Sequence, residues 1–175
     1  MENVMTLEKK KGFTLIELMI VLAIIAILAV VLIPKSQIFK NNSKNAGVTT
    51  NVNTVRGYLE TTVTNNGGAY GYLGYDQLIS KMKSDFNLSA SNNTNAGDLS
   101  PNSSTTNADE QLINPFAKGN ASVVIISKTG SINSSISADT DTSHDGAVII
   151  YVYGDGYAVF GYDKGGAATS IFKVK

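Results

Sequence analysis

Hydrophobic positions along this chain fall into three regimes. From Phe13 to Ile33 they are nearly continuous: 21 residues are interrupted only by Thr14 and Glu17, and the 16 from Leu18 to Ile33 carry no polar side chain. As a helix, that stretch spans about 30 Å, the hydrocarbon thickness of a bilayer. Beyond Pro34 the pattern changes. Val48, Val52, Val55, Leu59 and Val63 recur at spacings of 4, 3, 4 and 4, which draws a single apolar stripe on a helix. The rest of the segment after Pro34 is largely Asn, Thr, Ser and Lys, with Gly47 and Gly57 each costing about 1 kcal/mol of helix stability. This half cannot hold itself and needs a surface to pack on. The pattern predicts one long helix over roughly residues 14–64, lipid-embedded in its first half and packed on a domain in its second. Asn65-Asn66-Gly67-Gly68 ends it.

The third regime is a run of short alternating segments. Ser122–Ser127 and Ser131–Ser137 read as a hairpin around Lys128–Gly130, and Ala147–Tyr153 with Tyr157–Tyr162 as a second around Gly154-Asp155-Gly156. Ala168–Val174 reads as a last strand. Residues 65–120 read as a variable connection. Within it Asp76–Lys83 could form a short helix with Leu78, Ile79 and Met82 turned inward, and Ser89–Glu110 is an exposed polar loop. Tyr70, Tyr72 and Tyr75 alternate with glycines and either cap the core or meet a neighbour. Asn-x-Ser/Thr triplets at Asn92, Asn102 and Asn120 are expected by chance in so Asn-rich a chain. The predicted class is α+β, a helical spine across an antiparallel sheet of four or five strands.

Composition narrows the function. With 175 residues and 43% apolar content, one core domain is expected beside the apolar segment. The 14 basic and 14 acidic side chains cancel, so nothing draws the whole molecule to nucleic acid. No Cys means no disulfide, thiol catalysis or thiolate metal site, and a single His excludes a multi-histidine centre. No nucleophile–base pair or phosphate-cradling glycine loop is present, so no enzyme activity is expected.

Lys9, Lys10 and Lys11 precede Gly12 at the head of the apolar run, which places the N-terminus in the cytoplasm. A cleavable secretory signal would need a shorter core and a small-x-small site at its end, but Ala23, Ala26 and Ala29 are spaced by three. A plain anchor fits the length yet accounts for neither Glu17 nor the glycine at the junction. A carboxylate within hydrocarbon costs about 2.5–3.5 kcal/mol at the bilayer centre and less near its edge, and marks a functional position by default. The alternative is a glutamate snorkelling to head groups. The three alanines either permit close helix approach or reflect ordinary membrane-helix composition. Pro34 lacks a backbone donor and should kink or locally melt the helix.

Taken together, KKKGFTLIELMIVLAIIAILAVVLIP closely resembles the class III signal of type IV pilins and the related type II secretion pseudopilins. The match runs from Lys9 to Pro34 without a departure. The resemblance implies a cytoplasmic leader, residues 1–12, cut between Gly12 and Phe13 by a prepilin peptidase that also N-methylates Phe13. It further implies an assembly helix over 13–34 and an extracytoplasmic headpiece over 35–175, made of helix 35–64, variable loop 65–120 and sheet 121–175. Glu17 would meet the α-amino group of a neighbour's Phe13, and Pro34 would loosen the helix inside a filament. A single-pass precursor would be drawn from the cytoplasmic membrane by an assembly ATPase and platform protein. It would then form a homopolymer at the cell surface that serves adhesion, aggregation or movement. A secretion pseudopilin is the first alternative and a DNA-uptake pilin the second, although no Lys/Arg cluster survives loss of the leader. The Cys-free, Asn-rich composition leans toward a Gram-positive source. No cofactor is expected. Asp139, Asp141 and Asp145 place three carboxylates in one turn, a candidate calcium site that lacks the EF-hand's central Gly and terminal Glu. His144, beside them, should be exposed.

Overall fold

The computed structural model describes residues 12–66, 69–91, 95–102, 111–117 and 119–175. Two compact units divide after Lys40. The first consists of the opening of helix α1, which runs Leu15–Thr62 and therefore continues into the second. The expected helix is present within two residues at each end. It is continuous through Pro34: a proline removes one backbone bond, and the flanking turns keep theirs.

The second unit, Asn41–Lys175, holds the core. The stripe predicted on α1 is real: Val48, Val52, Val55 and Leu59 are all buried. They pack with Leu78 and Met82 of α2 (Tyr75–Asp85) and with one face of a sheet through Val123, Ile125, Val148, Ile150 and Val159. Helix and sheet approach closely at Gly161, where a Cβ would meet Val48 Cγ1 at 2.5 Å and Val52 Cγ2 at 2.9 Å. A separate ribbon pairs β1 (Thr64–Asn66) antiparallel with β2 (Ala69–Gly71).

The sheet differs from expectation in size and direction. It has six strands, in spatial order β3 (Leu88–Ala90), β4 (Asp98–Pro101), β5 (Val123–Ser127), β6 (Val148–Tyr153), β7 (Gly156–Gly161), β8 (Phe172–Val174). All neighbours are antiparallel except β5 and β6, which pair in parallel from Val123↔Val148 to Ser127↔Val152. The expected hairpin of Ser122–Ser127 with Ser131–Ser137 does not form. Parallel strands need a long crossover, and residues 128–147 supply it. Ile132 is buried within it, against a second cluster formed by Val124, Ile149, Tyr151, Phe160 and Tyr162 on the sheet's other face. Asp155 fixes the crossover's start by accepting from Ser131 Oγ and from the Ile132 amide at 2.8 Å. With both faces covered, β6 reads as an apolar run rather than a strict alternation. The β6–β7 hairpin is as predicted, turning at Gly154-Asp155. The last strand shrinks to Phe172–Val174, with a lone bridge from Ala168 to Tyr162.

The loop expected over 89–110 contains β4 and most of β3, and the two strands contribute the buried leucines Leu99 and Leu88. The short helix expected at 76–83 is α2, with Leu78, Ile79 and Met82 buried as predicted. Tyr72 and Tyr75 are half-buried against the core.

Candidate processing and assembly segment

Helix α1 opens at a cap that its own sequence builds. Thr14 is the last residue before the helix, and Glu17 is the third within it, the T-x-x-E spacing of a capping box. The Thr14 amide and hydroxyl both donate to Glu17 Oε2, each at 2.8 Å, while the Glu17 amide donates to Thr14 Oγ1 at 3.3 Å. Two donors that a helix start leaves orphaned are thereby satisfied. A carboxylate in the first turn also sits at the positive end of the helix dipole. Thr14 is thus the capping partner that attention to Glu17 alone passes over, although its signal stood in the sequence.

Gly12 and Phe13 precede the helix and are exposed, Phe13 by 95%. Gly12 has open space where a Cβ would stand. Lys9, Lys10 and Lys11 lie outside the described residues, and the side chain of Pro34 is not described. After the cap, the window Leu15–Leu32 is long and apolar enough to cross a membrane, and none of it is buried within the chain. Fourteen large apolar side chains in that window stand more than half exposed. Covering them is worth on the order of 10–20 kcal/mol, as much as the whole stability of a typical domain. Water is therefore not the working environment of this segment.

The three aspartates of the candidate calcium turn do not converge. Asp139 is engaged through its carbonyl, which accepts from Tyr162 Oη at 2.8 Å. Asp141 caps the short 3-10 turn Thr142–His144, accepting from the Ser143 amide at 2.8 Å and from His144 Nδ1 at 2.6 Å. Burial pushes the Asp141 carboxyl up, but the bonds from Ser143 and His144 outweigh it and hold the group below its ordinary range. Asp145 meets Lys164 Nζ at 3.1 Å and the Gly165 amide at 3.3 Å. Among the described residues no group of three acidic, His or Cys side chains is arranged to hold a metal. His144, expected in solvent, is instead half-buried, its side chain 17% exposed and facing the buried Asp98. No local pattern connects two residues 46 positions apart on different elements.

Asn114, in the Asn-Pro-Phe run before β5, is a further buried polar hub. Its amide donates to the carbonyls of Ala121 (2.8 Å) and Asp145 (2.9 Å), and its Oδ1 accepts from the amides of Phe116 and Ala117.

No solved structure matches the chain. A family model described as the prokaryotic N-terminal methylation motif matches residues 8–33, which include the leader junction, the Thr14–Glu17 cap and the apolar helix up to Pro34. Motif, cap and uncovered helix coincide on the same residues, and ahead of its α+β domain the chain therefore carries the N-terminal methylation signal of a type IV pilin-like prepilin.

Proposed function

We propose that the chain is the structural subunit of a type IV pilus, polymerising through its N-terminal helix into a surface filament. The observation that carries this reading is the apolar surface of Leu15–Leu32, uncovered by any of the described residues and headed by a single acid. In the precursor, lipid covers that surface, with the N-terminus on the cytoplasmic side. In the filament, neighbouring copies of the same helix cover it. The exchange is near neutral for the apolar atoms, so a specific polar contact decides register.

Glu17 supplies that contact. Within the unprocessed chain both donors converge on Oε2. Oε1 remains to accept from an ammonium, and cleavage between Gly12 and Phe13 creates one at Phe13. N-methylation keeps its charge. The partners this requires are a prepilin peptidase with methyltransferase activity, an assembly ATPase, a platform protein in the membrane and further copies of the chain. The chain itself acts as scaffold rather than catalyst.

Filaments sheared from cells should begin at methylated Phe13. Glu17→Ala should abolish them while leaving normal amounts of processed protein in the membrane. Filaments of the Glu17→Ala chain in wild-type quantity, or sheared filaments whose subunits still begin at Met1, would refute the proposal. Subunits found only in short periplasmic assemblies, never at the surface, would point to a secretion pseudopilin.

A further inference from the structure

Strand β4 covers only the first part of β5. Its register with β5 consists of Asp98↔Val124 and Leu99↔Val123, so Ile126 and Ser127 have a strand neighbour, β6, on one side alone. Beside this open edge lies a cavity of about 420 Å³, lined by Tyr75, Asn95, Asp98, Ile126, Ser127 and His144 among others. Gly97 brings the turn before β4 onto β5: its carbonyl accepts from the Ile125 amide at 3.0 Å, and a Cβ there would collide with the Ile125 carbonyl.

Asp98 is the unusual member of this wall. The residue is 1% exposed, and among the described residues neither carboxylate oxygen has a hydrogen-bond partner. Among the described residues the only cationic group within ion-pair reach is His144, whose Nε2 stands 3.7 Å from Oδ2, beyond hydrogen-bond range. The other ring nitrogen is committed to Asp141 at 2.6 Å. Asp98, Asp141 and His144 together are net negative whether the ring is neutral or charged. A buried carboxylate with no donor is costly, and in a native protein it calls for a missing partner.

We propose that this cavity is a binding site for a primary ammonium carried on an aliphatic stem, with Asp98 as its anion. Ligand chemistry follows from the lining. One carboxylate with the side chains of Asn95, Ser127 and Tyr75, set beside Val124, Ile125, Ile126 and Ala96, falls short of the six to eight oxygen ligands that calcium takes. It suits an alkyl chain ending in one charge, with the Tyr75 ring available to the cation. Because both Asp98 oxygens are shielded from bulk solvent, the ammonium enters between Asp98 and His144. Entry there replaces the 3.7 Å approach of His144 Nε2 to Oδ2, which is longer than a hydrogen bond. The ligand is either a free amine or the side chain of a lysine on another chain.

His144 is the only histidine, so its ring resonances form a single reporter in the full-length protein in detergent micelles. Titration with n-butylammonium chloride should shift those resonances saturably and raise the melting temperature, and Asp98→Asn should weaken binding at least about tenfold. Without ligand, Asp98→Asn should melt no lower than the wild type, because it removes an unpaired buried charge. Ile126→Trp, which keeps the carboxylate and fills the cavity, should also abolish the shift and tests the site independently should Asp98→Asn fail to fold. N-acetyl-lysine methylamide distinguishes the sources. Binding as tight as that of butylammonium assigns the site to a lysine presented by a protein, and binding of butylammonium alone assigns it to free amines. The proposal is overturned by no saturable shift with either amine, by an undiminished shift in both variants, or by stabilisation with calcium chloride that exceeds the amine's and vanishes in Asp98→Asn.

Discussion

Gly161→Ala probes how tightly the second half of α1 is fixed to the sheet. Gly161 ends β7, directly beneath the helix. A Cβ at that position would stand 2.5 Å from Val48 Cγ1, 2.9 Å from Val52 Cγ2 and 3.3 Å from the Ala147 carbonyl. Ordinary carbon–carbon contact begins near 3.5 Å. Two valines must therefore yield, and neither can easily do so, because in a helix a β-branched side chain holds one rotamer. Overpacking of this kind costs about 1–3 kcal/mol, or roughly 3–15 °C in melting temperature for a domain of this size. Val48→Ala, at a position with no exposure, should cost a similar amount by leaving a cavity. Combined, the two substitutions should cost less than their sum by about 1 kcal/mol or more, because the methyl added on the sheet occupies the space vacated on the helix. Thermal melts of the four full-length proteins by circular dichroism in detergent measure the cycle. A Gly161→Ala protein as stable as the wild type, or costs that simply add, would refute the packing argument.

Two further outcomes follow from polar groups in the second unit. Hydrogen bonds from Ser131 and the Ile132 amide hold the Asp155 carboxyl below its ordinary range; a depressed acid contributes stability above its unfolded value and loses it as pH falls through the folded one. Melting temperature should therefore drop on acidification through the carboxylate range, and Asp155→Asn should flatten that drop; an unchanged pH profile would contradict the assignment. Asn114→Ala should lower stability by about 2–4 kcal/mol in a denaturant titration, because four backbone groups lose their partner in a buried site. A loss below about 0.5 kcal/mol would show that water replaces the amide.

What could be read from the sequence was local. The capping box, the apolar run and the valine stripe each lie within one continuous segment, and the periodicity of 3.6 or 2 residues reports them directly. The Tyr153–Gly156 turn announces the β6–β7 hairpin for the same reason. The β5–β6 pairing was not legible because nothing in Ser-Val-Val-Ile-Ile-Ser specifies a partner more than twenty residues away in preference to the nearer Ser131–Ser137. That nearer segment lost because its Ile132 is worth more beneath the second face than on an edge. Strands β3 and β4 were hidden by Ser, Asn and Asp around single leucines, and Asp98 looked like one more polar loop residue. Its burial is a tertiary fact, created when Gly97 lets the turn settle on β5.

Both outermost strands of the six-stranded sheet, β3 and β8, are only three residues long. A sheet margin that short offers few free amides and carbonyls for another sheet to zip onto. Domains held side by side at high local concentration would otherwise risk fusing into cross-β ribbons. On the proposed filament, margins this short would leave association between copies to the N-terminal helices rather than to the sheets.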